Sequence, residues 1–190
     1  MTTAFVLGNG VSRLAVNLDL LKNHGQIYGC NALHREFVPH VLVATDRPIA
    51  HAIQNSGYSQ QHRFHTRKPL PNLGALTIPQ PYYGYSSGPV ATALAALDHH
   101  KTIYLLGFDL GPDQHNKFNN VYAGTEFYKP IDSAQTFTGN WIRQITQITK
   151  NFPDRQFARV HGPTTAHIPE LTHLNNLKHV TMGDFLTQYQ

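Results

Sequence analysis

Short, nearly unbroken apolar runs alternate along the chain with stretches whose apolar residues recur at helical spacing. The first run, residues 5–7, stops at Gly8-Asn9-Gly10, and Val11, Leu14, Leu18 and Leu21 follow at a helical period. That pattern predicts a strand, a tight glycine turn and a helix. The second run, residues 26–30, ends at Asn31. The third, residues 38–45, is apolar almost throughout, as expected of a parallel strand covered on both faces, and it delivers Asp46 to the same edge. Pro48 is placed to start a short helix through Ile53. Residues 55–85 carry no long helix. Within them, 62–65 and 75–78 read as short strands set among Pro69, Pro71, Pro79 and Pro81.

An alanine-rich helix is predicted over residues 90–97, with Pro89 as its first helical residue, so that Ser86, Ser87 and Gly88 lie at its N-terminus. A buried strand over 101–109 ends in Gly107-Phe108-Asp109. Residues 111–130 are polar and aromatic without periodicity, and a loop of that length in a compact domain predicts a lid over a site. Trp141, Ile145 and Ile148 mark a helix over 132–151, followed by a strand at 156–160 and short helices near 168–171 and 183–189. No internal repeat, linker or second domain is visible. The alternation implies one doubly wound, Rossmann-like α/β domain over residues 1–190, with a mostly parallel sheet.

In such sheets ligands sit outside the C-terminal strand ends, at the switch point of the strand order. Gly8, Asn9, Gly10, Asn31, Asp46, Ser86, Ser87, Gly88 and Asp109 all fall at strand ends or adjoining turns. A helix start leaves backbone N–H groups unpaired and carries partial positive charge, so the starts at Gly10 and Gly88 are read as anion sites. Glycine there would let a diphosphate approach the backbone without a Cβ in the way. Each residue also has a plain reading: turn formers at Gly8, Gly10 and Asn31, a cap at Ser87, a loop anchor or helix cap at Asp109. Their convergence on one edge favours a site. NAD is excluded, because Arg13 holds the third glycine position and Asn31 stands where an acid would bind the ribose. A P-loop is excluded by the absence of a glycine-rich loop ending in Lys-Ser/Thr.

Composition narrows the partners. The 190 residues are 41% hydrophobic and 14% charged, an ordinary globular balance. The net charge of +4 is the balance of 15 scattered Lys and Arg against 11 Asp and Glu, which predicts no nucleic-acid stripe but a favourable encounter with an anionic nucleotide. A single cysteine, Cys30, permits no internal disulfide and suits a reducing cytoplasm, the expected location. No stretch approaches the ~20 apolar residues of a membrane helix, so no membrane association is expected. Of the 13 histidines, His161, His167, His173 and His179 recur every sixth residue. Six fits neither a strand nor a helix repeat, so they are read as surface histidines that share no face. No metal motif stands out.

Gly8-Asn9-Gly10 with Ser12, the Cys30-Asn31 strand end, Ser86-Ser87-Gly88 opening a helix, and the strand from Ile103 to Asp109 resemble the bacterial CMP-sialic-acid-dependent sialyltransferases. The same arrangement looks like proteins related to the archaeal 6-hydroxymethylpterin pyrophosphokinases. The first resemblance implies nucleotide and sugar contacts at Asn9 and Asn31, phosphate or donor carboxylate held at Ser86 to Gly88, and Asp109 beside the cytidine ribose. It implies a CMP-type nucleotide sugar as donor and a glycan or small molecule as acceptor, with no cofactor firmly required. Three departures stand against it. Val11 replaces the usual proline, Asp46 replaces an asparagine, and residues 133–140 hold no histidine where the family has its general base.

Three function classes follow. A glycosyltransferase needs a proton acceptor, for which Asp46 and His115 are the candidates. A phosphotransferase needs carboxylates for Mg²⁺, which Asp46 and Asp109 could supply. A binding protein would keep the nucleotide cleft without turnover. Nothing in the pattern speaks to the oligomeric state.

Overall fold

The computed structural model describes residues 3–190. Eight parallel strands form one sheet: β1 (Thr3–Leu7), β2 (Gln26–Cys30), β3 (Val41–Val43), β4 (Phe64–Thr66), β5 (Leu76–Thr77), β6 (Thr102–Leu106), β7 (Gln156–His161) and β8 (Leu177–Thr181). Their order is β5-β4-β3-β2-β1-β6-β7-β8. The chain therefore steps outward from β1 to β5, crosses back over the sheet, and continues from β6 to the other edge. The switch point lies between β1 and β6, whose residues pair in register from Thr3↔Thr102 to Leu7↔Leu106. The expectation of a doubly wound α/β domain holds, with every strand pair parallel.

Strand alternation builds a core on each side. Ala4, Val6, Val41, Val43, Ile103 and Leu105 face one layer, while Phe5, Leu7, Leu42, Tyr104 and Leu106 face the other. The helices are α1 (Leu18–Leu21), α2 (Arg47–Asn55), α3 (Tyr58–Gln61), α4 (Ser87–Leu97), α5 (Gly139–Asn151), α6 (Pro169–Thr172) and α7 (Met182–Tyr189). The crossover helix α4 is buried nearly all round. Its alanines keep it thin enough to lie against β1, β2, β3 and β6. A crossover helix runs against the parallel strands, so its N-terminus meets their C-terminal ends.

Five expectations need correction. The helix after Gly10 is a 3₁₀ turn (Val11–Ala15) followed by α1, whose start is capped by the Asn17 side chain. Leu14 points outward, 69% exposed, whereas Ser12 and Arg13 are buried, because those two have polar partners inside. The long late helix starts at Gly139 and not at 132. The strand β8 was missed because it is an edge strand with Lys178, His179 and Thr181 exposed, and so lacks an apolar run. Finally, β7–β8 pairing brings His161 and His179 together, with His161 Nε2 2.7 Å from His179 Nδ1. Two of the four spaced histidines thus share a face through strand pairing, which a period along one chain cannot register. α4 begins at Ser87, two residues before Pro89.

Candidate functional site

The ends of β1 and β6 are laced together. Gly8 N–H donates to Leu106 O (2.7 Å) and Gly10 N–H to Gly107 O (2.9 Å). A Cβ on Gly8 would sit 2.5 Å from Gly107 O, and one on Gly10 would sit 2.5 Å from the Asp109 carboxyl carbon. The glycines are thus required by chain packing on chain. Their expected role of exposing backbone to a diphosphate is not what this geometry uses them for.

Asp109 explains why. Its carboxylate is buried and accepts from Ser12 N–H (3.1 Å), the Ser12 hydroxyl, Asn119 Nδ2 (3.2 Å), Thr164 Oγ1 (2.7 Å) and Thr165 Oγ1 (3.2 Å). Behind it the fully buried Arg159 donates to the carbonyls of Phe108 (2.9 Å), Asp109 (2.9 Å) and Ala166 (3.0 Å). Burial pulls the Arg159 guanidinium down to about 10, and nearby Asp109 opposes that fall. The anion position over the turn at Gly10 is therefore filled by the chain's own carboxylate. Asp109 borders the cleft, but as an anchor for three segments.

The second helix start is different. Ser86 N–H donates to Gln144 Oε1 (2.9 Å), and Val90 N–H closes the first turn on Ser86 O. The Ser87 hydroxyl donates to Asn31 Oδ1 (3.0 Å), accepts from Thr45 N–H (3.0 Å) and meets Thr45 Oγ1 at 3.0 Å, so it ties α4 to the ends of β2 and β3. The N–H groups of Ser87 and Gly88 make no hydrogen bond to any described residue. They open on a cleft of about 340 Å³ whose wall includes Asn9, Asn31, Asp46, Arg67, Phe118 and Trp141. Asn31 holds a left-handed conformation (φ 54°) that asparagine tolerates better than most residues. Asn9 donates to the Tyr128 hydroxyl at 3.5 Å, and its Oδ1 is buried without a described partner.

The two candidate bases part company. Asp46 borders the cleft, is exposed, and its carboxylate makes no hydrogen bond to a described residue. His115 lies away from the cleft wall on an exposed turn, beside Gln114 and with its N–H donating to Asp113 Oδ1 (2.8 Å). The expectation that His115 reaches the site is corrected: residues 113–117 close on themselves through Asp113, which holds the histidine at the tip.

The expected lid, 111–130, is in its middle a fastened strap. Val121 N–H donates to Asn9 O (2.8 Å), Arg13 Nη2 to the Tyr122 hydroxyl (3.0 Å), and Ala32 N–H to the Tyr128 hydroxyl (3.2 Å). Arg35 adds bonds to Thr125 Oγ1 (3.1 Å) and Glu126 O (3.2 Å). Burial raises the Tyr122 phenol and pushes Tyr128 up to about 12, so both stay neutral hydrogen-bonding groups.

Of the candidate site residues Gly8, Asn9, Gly10, Asn31, Asp46, Ser86, Ser87, Gly88, Asp109 and His115, all but His115 border one cleft. Phe118 comes from the segment expected as a lid, whereas Arg67 and Trp141 were not anticipated there. Arg67 directly follows β4, so the strand-end rule that picked out Asp46 applies to it equally. The chain matches no protein-family model, no characterised protein and no solved structure.

Proposed function

We propose that the cleft binds a nucleotide, and that the protein is a nucleotide-sugar-dependent glycosyltransferase of the sialyltransferase-like kind with a CMP-type donor. The observation that carries this reading is the pair of unpaired N–H groups at Ser87 and Gly88, opening on the switch-point cleft. Such a helix start stabilises a phosphate or carboxylate by hydrogen bonding and by its dipole. Asn9 and Asn31 flank it and supply neutral polar groups for base or sugar. Asp46 is the proton acceptor in this reading, because Asp109, the other carboxylate on the wall, is engaged by five donors. The same engagement removes the support for a magnesium-dependent phosphotransferase built on Asp46 and Asp109.

A second reading, a nucleotide-binding protein without turnover, is favoured by the exposure of Asp46. A carboxylate in water is a feeble base at neutral pH, since only dry surroundings or like charges raise its proton affinity. The test has two arms. Thermal shifts with CMP, CDP, UDP, GDP and ATP, with and without Mg²⁺, read binding through stabilisation of the native state. Release of nucleotide from labelled nucleotide sugars, with water or a glycan mixture as acceptor, reads transfer. The transferase reading expects Asp46→Asn to abolish release while nucleotide affinity stays within a few-fold. Undiminished release in that variant removes Asp46 as the base. Tight nucleotide binding without release by the unaltered protein establishes the second reading.

A further inference from the structure

Arg67 is the one basic side chain on the cleft wall among the described residues. Its guanidinium is held by three backbone carbonyls: Nε donates to Tyr83 O (3.0 Å), and Nη2 donates to Gly84 O (3.4 Å) and Tyr85 O (2.9 Å). Those carbonyls belong to the segment that runs straight into α4, so the arginine and the helix start are parts of one rigid corner. Nη1 makes no hydrogen bond to a described residue. Nε and Nη2 are thus fastened, and Nη1 is left for something else.

We infer that Arg67 is the charge-reading residue of the cleft: with the Ser87 and Gly88 N–H groups it binds one oxyanion, a phosphate or carboxylate, of the ligand. This rests on the nucleotide reading above for the ligand and adds the residue that selects its charge. An oxyanion with two oxygens in reach matches the Nη1 group and a helix start together, where a neutral ligand would leave both unused. The fastening matters for the energetics. A free arginine loses rotamer freedom on binding, whereas one already held by three carbonyls has little left to lose. Asp46 lies on the same wall, its carboxylate without a described hydrogen-bond partner, and the Asp109 carboxylate is engaged by five donors. One cation and one helix start therefore suit a single anionic group.

The experiment compares nucleoside monophosphates with their parent nucleosides, and inorganic phosphate at matched ionic strength, by calorimetry on the unaltered protein, Arg67→Lys and Arg67→Gln. Expected for Arg67→Gln is at least a tenfold loss of affinity for the monophosphate and for phosphate, with nucleoside affinity unchanged. Arg67→Lys, which keeps the charge but not the fork, falls in between. An equal loss for nucleoside and monophosphate overturns the inference, because it makes Arg67 a mere strut for residues 83–85. Unchanged monophosphate affinity in Arg67→Gln overturns it as well. If the unaltered protein binds phosphate in an Arg67-dependent way but no nucleotide, the inference stands and the nucleotide reading falls. Binding of none of the probes overturns both.

Discussion

At the residue scale, three glycines near the cleft owe their places to different neighbours. Gly8 packs against a backbone carbonyl, Gly10 against the Asp109 carboxylate, and Gly88 against the edge of the Phe108 ring at 3.3 Å from a would-be Cβ. A carbonyl laced into the β1–β6 junction cannot retreat, whereas a ring can shift by tenths of an ångström. Gly8→Ala is therefore expected to cost about 1–3 kcal/mol, the usual range for forcing atoms into a filled interior. Gly88→Ala is expected to stay within about 1 kcal/mol, because alanine also favours the helix. Urea denaturation of the two variants decides it, and equal losses would mean that the Gly8 junction is softer than its hydrogen bonds imply.

At the scale of elements, α4 and the strap 119–128 both contribute to the cleft wall. The strap is tied to β1's turn through Val121 and Asn9, and to the residues after β2 through Tyr128 and Arg35. Its amides at Val121 and Tyr122 are expected to exchange slowly without any ligand, while those at residues 114–116 exchange fast. Hydrogen exchange by mass spectrometry separates this from a loop that orders only over ligand, which would leave Val121 unprotected in the free protein. Helical and strand periods identified α4 and the central strands because burial on both faces writes continuous apolar sequence. They misread residues 11–15, where Ser12 and Arg13 turn inward to polar partners and Leu14 is left outside.

For the whole molecule, folding holds several histidines neutral. Partial desolvation on folding lowers His34, His65 and even the largely exposed His40 and His179, and brings His161 down to about 4, with Arg159 and His179 adding to the effect on His161. In the unfolded chain these groups titrate near ~6.5. Below that pH the unfolded state binds more protons than the folded one, so stability falls as pH drops from about 6.5 toward 4. A melting temperature that declines over this interval is expected, with a shallower decline in His161→Gln. A flat or rising profile would contradict the desolvation of these rings on folding.

Local pattern by itself determined the strands of the sheet's centre, the crossover helix, the doubly wound class and, through it, the edge at which the candidate residues gather. Those features are written in spacing and burial along short stretches. Only the tertiary structure decided what each candidate residue does at that edge. Asp109 lies 97 residues from Ser12, and its capture of the turn after Gly10 turned an expected ligand site into an internal anchor. Arg67 became part of the cleft because three carbonyls from residues 83–85 hold it there. His115 was left outside because its own turn closes through Asp113. Hydrogen bonds between distant segments carry no period, so a chain read along its length cannot tell which polar group already has a partner.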